Sequence, residues 1–180
     1  MVVHLHVGTG FGDADSPTRA VLRLTLAADG TLTASAPVEL GAPQPQGPGE
    51  NPGWLCAKNS SATFVGFEDN PGLVQAYSIG ADGALEPIGA AVSSVGRHPC
   101  FLALDTSGKW LFAANYTEGS VCVRPILPDG SLGRATDSKK HQGGELIDAA
   151  LHDRQEGAHC HAIVPHPSNA WVAVADLGLS

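Results

Sequence analysis

The feature that most constrains this chain is a repeat. The stretches NPGWLCAKNSSATFVGFE and HPCFLALDTSGKWLFAAN align without a gap, so that Pro52 matches Pro99 and Glu68 matches Asn115. A third copy, AHCHAIVPHPSNAWVAVAD, carries one extra residue in its turn and sets His159 against Pro99 and Asp176 against Asn115. Turn signals keep the same rhythm: Ala-Asp-Gly closes at Gly30 and Gly83, and Pro-Asp-Gly at Gly130, spacings of 53 and 47 residues. Each is followed by small or β-prone residues that restart a strand. A unit of about 45 to 50 residues with about four short strands is what a β-propeller blade requires. A sandwich of two sheets is the alternative, and it does not call for a gapless repeat.

Runs with a period of two fill these units, among them AVLRLTLA, TFVGFED, LVQAYSIG, CFLALD, WLFAANY, SVCVRPIL and WVAVADL. Helical patterning is confined to GGELIDAALHDRQ, where Ile147, Ala150 and Leu151 share one face of a short helix. The Pro- and Gly-rich stretch GAPQPQGPGENPG reads as a loop between blades. The expected fold is therefore all-β, a propeller of four-stranded antiparallel blades. Approximate blade limits are 1–45, 46–92 and 93–150, with the start of a fourth at 151–180 and no separate second domain. Three blades and a hairpin form an incomplete arc of about three and a half blades, which leaves sheet edges and faces uncovered. The expectation is a fragment whose missing C-terminal half completes the ring.

A net charge of −8, with only ten Lys and Arg spread along the chain, argues against a nucleic-acid surface. The start, MVVHLHVGTG, alternates like a first strand and lacks the pattern of a signal peptide. No window approaches the roughly 18 apolar residues of a membrane span, so no membrane partner is expected. Cysteines at 56, 100, 122 and 160 form no CxxC pair, which reads as free thiols in a reducing, cytoplasmic setting.

Several segments resemble the seven-bladed propeller lactonases, the family that includes a bacterial type of 6-phosphogluconolactonase and the carboxy-cis,cis-muconate cyclases. The matching pieces are VGTG, HPCFLALDTSGKWLFAANYTEGSV, PDGSLGRAT and RQEGAHCHAIVPHPSNAWVAVADLG. The last is similar to the family's Arg-Gln-x-Gly-Pro-His-x-His, hydrophobic strand and Asp-Leu-Gly. Ala158 stands where the family usually has Pro, Phe101 where it often has His, and HPSNAW lacks the usual Asp and Gly. The resemblance covers nearly the whole chain as an N-terminal half. It implies a cofactor-independent lactonase, with a small anionic lactone as substrate, most specifically 6-phosphogluconolactone in the pentose phosphate route. A muconate-type cyclase and a non-catalytic binding scaffold are the other readings.

The candidate chemistry centres on EGAHCHAIVPH. His159 and His161 lie two apart on a strand, so both are expected on one face with Cys160 on the other. With His166 as a third ligand they make a partial metal set, but the Pro-flanked His166 falls in the following turn and no further ligand converges. Metal is therefore not expected here. Acid–base catalysis fits better, since an imidazole takes a proton from water near neutral pH. Glu156 orients a histidine or acts as the base itself, and Arg154 clamps an anionic group through its planar fork. Glu68, Asn115 and Asp176 end equivalent strands and are expected to converge at one mouth, with Asn115 donating to the oxyanion. The reading without function for these three is local turn capping. His98, placed by Pro99 in extended backbone, is expected at the same mouth.

Overall fold

The computed structural model describes residues 3–8, 21–38, 40, 51–143 and 155–179. The helical segment expected around Ile147 and Leu151 lies outside the described residues, and so does Arg154. Among the described residues thirteen strands form four antiparallel sheets. The first holds β1 (Val3–Gly8), β2 (Val21–Leu26) and β3 (Leu32–Val38). The second holds β4 (Pro52–Asn59), β5 (Ala62–Phe67), β6 (Leu73–Ile79) and β7 (Leu85–Ser93). The third holds β8 (Pro99–Leu104), β9 (Trp110–Asn115), β10 (Ser120–Pro125) and β11 (Asp137–Lys140), and the fourth β12 (Cys160–Pro165) and β13 (Val172–Asp176). Within every sheet the strands follow in chain order. The result is an incomplete propeller, all-β among the described strands.

The Asp-Gly signals form one turn three times. Asp29, Asp82 and Asp129 each accept, through Oδ1, the amide two residues on, at 2.9, 3.1 and 3.0 Å. Gly30, Gly83 and Gly130 follow at φ 86°, 82° and 88°, left-handed values that a side chain would strain. This turn joins β2 to β3 and β6 to β7, so β1 stands where β5 stands in the second sheet. The first sheet thus departs from the expected four-stranded blade: among the described residues it has three strands, beginning one strand in.

Successive sheets pack face to face through apolar clusters. Val21 of the first sheet joins Val65, Phe67, Tyr77 and Leu85 of the second. Phe64, Val74 and Ala76 of the second join Leu102, Leu111, Ala113 and Cys122 of the third. Trp54 crosses that interface, stacking on Phe101 at 4.1 Å and donating Nε1–H to the Leu102 carbonyl at 3.1 Å. First strands lie side by side, β4 against β8 and β8 against β12. Small residues let a second strand approach the head of the next sheet as well: a side chain on Gly8 of β1 would collide with the Pro52 carbonyl. The third interface is smaller, built on Ala114, Cys160 and Ile163.

Leu102 is 2% exposed at the centre of the second interface. Leu102→Ala is expected to lower stability by about 2–5 kcal/mol through lost burial and the cavity left behind. Urea unfolding with an unchanged slope checks this.

Candidate active site

The repeat places His159 one residue ahead of β12, at the position that Pro52 and Pro99 fill at the head of β4 and β8. It is 7% exposed, and its ring stacks on Tyr116 with centroids 4.4 Å apart and planes 12° from parallel. Its Nδ1 lies 3.1 Å from the Tyr116 carbonyl and its Nε2 2.8 Å from Glu156 Oε1. Both ring nitrogens therefore face oxygen acceptors. A neutral imidazole donates only one hydrogen bond, so the tautomer decides which of the two oxygens accepts it.

His161 behaves differently. The β12–β13 register slips between Cys160 and Ala162, which leaves His161 as the unpaired residue of a bulge. Its side chain is exposed and meets the Tyr116 ring edge-on, with centroids 5.6 Å apart. Among the described residues no hydrogen-bond partner holds its ring nitrogens. Both imidazoles thus gather about Tyr116, one locked and one open.

Asp176 ends β13 and ties this corner together. Its Oδ1 accepts the amides of His159 at 2.7 Å, Gly178 at 3.0 Å and Leu179 at 3.2 Å. Its Oδ2 lies 2.7 Å from His141 Nδ1 and accepts from the Cys160 thiol at 3.5 Å. Burial alone would raise this carboxyl, but the His159 amide and His141 outweigh it and hold it below the usual carboxylate range. Burial, with the Asp176 carboxylate beside it, pushes the Cys160 thiol up to about 12. All four cysteines are free thiols.

The turn after β9, residues 116–119, carries a charged rim. Glu118 pairs with Lys140 Nζ at 2.7 Å and with Arg97 Nε at 3.0 Å, both cations being well exposed. Hydrogen bonds from Lys140 and Arg97 draw the Glu118 carboxyl below its ordinary value. Two cations thus face one carboxylate across the turn. His98 joins it through Nδ1, 2.6 Å from Thr117 Oγ1.

Several expectations are corrected here. His98 is not extended: its φ is 54°, fixed by its amide donating to Asp69 O at 3.1 Å and its carbonyl accepting from Tyr116 N at 2.9 Å. Asn115 is fully buried and its amide group already donates to Ser94 O at 3.0 Å and Ser120 Oγ at 3.1 Å, so no donor remains for an oxyanion. Asp176 likewise anchors backbone and does not line a mouth. Glu68 follows β5, where a side chain on Gly53 would collide with its carboxylate, and its charge reaches the Cys100 thiol at the head of β8. Burial first, and then the neighbouring Asp69, raise its carboxyl. His166 sits past the far end of β12, stacked on Trp171 at 4.2 Å. Tyr116, Lys140 and His141 are site residues that sequence reasoning missed; the Tyr-Thr-Glu run directly after Asn115 was the available signal.

Comparison with known proteins places the chain among lactonases. The family profile described as "Lactonase, 7-bladed beta-propeller" matches residues 27–180. The 6-phosphogluconolactonase of Bacillus subtilis is 30% identical over 132 residues, 72% of this chain and 36% of that protein. The 6-phosphogluconolactonase of Pectobacterium atrosepticum is 30% identical over 146 residues, 81% of this chain and 37% of that protein. Among solved structures, the periplasmic gluconolactonase of Pseudomonas aeruginosa superposes with a TM-score of 0.78 at 27% identity, over 99% of this chain and 48% of that one. A putative 6-phosphogluconolactonase from Bacteroides fragilis gives 0.78 at 23% identity, over 99% and 46%, and shows the fold. The matched part spans little more than a third of these two curated relatives.

Asp176→Ala removes the acceptor for three amides and is expected to cost about 3 kcal/mol, since hydrogen bonds to a charged group are each worth about 1.5–3 kcal/mol. Because the folded carboxyl is depressed, its contribution is fully present above about pH 4 and is lost as pH falls through the folded value. Chemical unfolding across acid pH checks this, the wild-type curve falling more steeply than that of the variant.

Proposed function

Because the chain belongs to the seven-bladed β-propeller lactonase family, we propose that it hydrolyses a sugar lactone, with 6-phosphogluconolactone as the preferred substrate. The observation that carries the reading is the open imidazole of His161, edge-on to Tyr116 and beside the locked pair of His159 and Glu156. A base needs an accessible lone pair, and of the two histidines His161 alone meets that condition.

In the proposed reaction, His161 takes a proton from water as its oxygen attacks the lactone carbonyl. The tetrahedral intermediate collapses, the acyl C–O bond breaks, and the imidazolium returns the proton to the departing ring oxygen. The products are a carboxylic acid, ionised at neutral pH, and a free hydroxyl. His159, held by Glu156 and the Tyr116 carbonyl, fixes the aromatic ring against which His161 sits. The exposed cations of Arg97 and Lys140 offer partners to an anionic substrate. Arg154, which matches the family's Arg-Gln motif, is proposed to grip the phosphate in the same way.

The test is a hydrolysis assay with 6-phosphogluconolactone, gluconolactone and muconolactone, corrected for spontaneous opening. His161→Gln is expected to lower kcat by about 100-fold or more with KM little changed. Lys140→Ala is expected to raise KM for the phosphorylated lactone and leave that for gluconolactone unaltered. Wild-type turnover in His161→Gln would sink the assignment of the base. Equal KM effects on both lactones would sink the role of the rim.

A further inference from the structure

Three metal-ligating side chains from three separate segments meet behind His159. His141 follows β11, Cys160 opens β12 and Asp176 closes β13. Their ligand atoms form a triangle: Nδ1 to Oδ2 is 2.7 Å, Sγ to Nδ1 is 3.3 Å and Sγ to Oδ2 is 3.5 Å. We propose that His141, Cys160 and Asp176 bind a thiophilic divalent transition-metal ion of the zinc type.

The geometry requires little adjustment. Tetrahedral zinc, with bonds of about 2.0–2.3 Å, holds neighbouring N, O and S ligands about 3.3–3.6 Å apart. Both edges to sulfur already have that length. The third opens by about half an ångström when a metal ion replaces the proton between His141 and Asp176.

The donor set and its support fit the same ion. Thiolate, imidazole and carboxylate together select zinc-like metals over calcium or magnesium, which prefer oxygen alone. Asp176 is pre-oriented: three backbone amides hold Oδ1, which turns Oδ2 toward the other two ligands. Cys160 is fully buried, and the side chain of His141 is 26% exposed. An open cleft of about 300 Å³, lined by Phe112, Asp137, Ser138, Ile163 and His141, reaches the imidazole. It supplies a path for the ion and room for water as fourth ligand. Binding releases the Cys160 proton to solvent, and the proton on His141 Nδ1 passes by way of solvent to Nε2, which leaves Nδ1 free to ligate.

The ion would lie on the far side of Asp176 from His159. None of its three ligands takes a proton or touches the lactone in the reaction proposed above, and the inference does not rest on that reading. Its effect is to fasten the fourth sheet to the third, where the apolar interface is smallest.

Cobalt titration of the purified full chain, stripped with chelator, tests this. Expected are a thiolate-to-cobalt charge-transfer band and visible bands of tetrahedral intensity, saturating at one equivalent. Cys160→Ser should abolish the charge-transfer band and Cys56→Ser should keep it. His141→Ala, at a partly exposed position, should weaken binding by roughly tenfold or more. No charge-transfer band in the wild type, or its persistence in a folded Cys160→Ser, overturns the site. If Cys160→Ser does not fold, wild-type cobalt affinity in His141→Ala overturns it instead.

Discussion

Face-to-face burial between consecutive sheets is the contact on which the rest of this structure depends. A single antiparallel sheet of four short strands covers neither of its faces, so each blade is completed by its neighbours. The second interface is the thickest, with Phe64, Leu102 and Leu111 nearly inaccessible and Trp54 laid across it. The approach is close because the strands offer small residues where the next sheet begins. Gly8 lies against Pro52, and Gly66 against Pro99. An added methyl at either place would press on a backbone carbonyl, which has nowhere to go without moving a strand.

The candidate site grows where this scheme is thinnest. Between the third and fourth sheets the buried apolar cluster is Ala114, Cys160 and Ile163, and polar groups supply much of the remaining connection. Asp176 binds the His159 amide, Asn169 Nδ2 donates to Asp105 at 2.9 Å, and the Tyr116 carbonyl faces the His159 ring. These contacts are directional where apolar packing is not, so they fix side chains as well as sheets. A propeller can place chemistry at such a junction because neighbouring blades tolerate a change of one strand start from Pro to His.

Much of the fold was legible in the repeat because the responsible interactions are local. An Asp accepting an amide two residues on, followed by Gly at positive φ, needs no information from elsewhere in the chain. The same holds for Pro at the head of a strand. The number of strands in the first sheet was less legible, since it depends on which strand of the repeat β1 represents. At the site, His159 and Glu156 were readable as neighbours, but their hydrogen bond required the backbone between them to fold back. Asn115 shows the opposite failure: an amide at a strand end looks the same in sequence whether it meets solvent or, as here, Ser94 and Ser120. Tyr116, Lys140 and His141 come from a turn and an edge strand that only tertiary packing brings to the histidines.

The two histidines began as equivalent members of one His-x-His pair, and a single register slip separates them. Had β12 paired regularly with β13 from Cys160 onward, alternation would have given His159 and His161 one common environment. The bulge instead lets Cys160 face Asp176 while His161 leaves the ladder. Its ring reaches the outer edge of Tyr116 as His159 stacks on the face. One aromatic ring thus serves two imidazoles of opposite character, the first held by a carbonyl and a carboxylate, the second open to solvent. The slip belongs to the repeat, since β4 and β8 also shift register at their heads, between Pro52 and Trp54 and between Pro99 and Phe101; in the fourth sheet the Asp176 carboxylate holds the His159 amide just ahead of it.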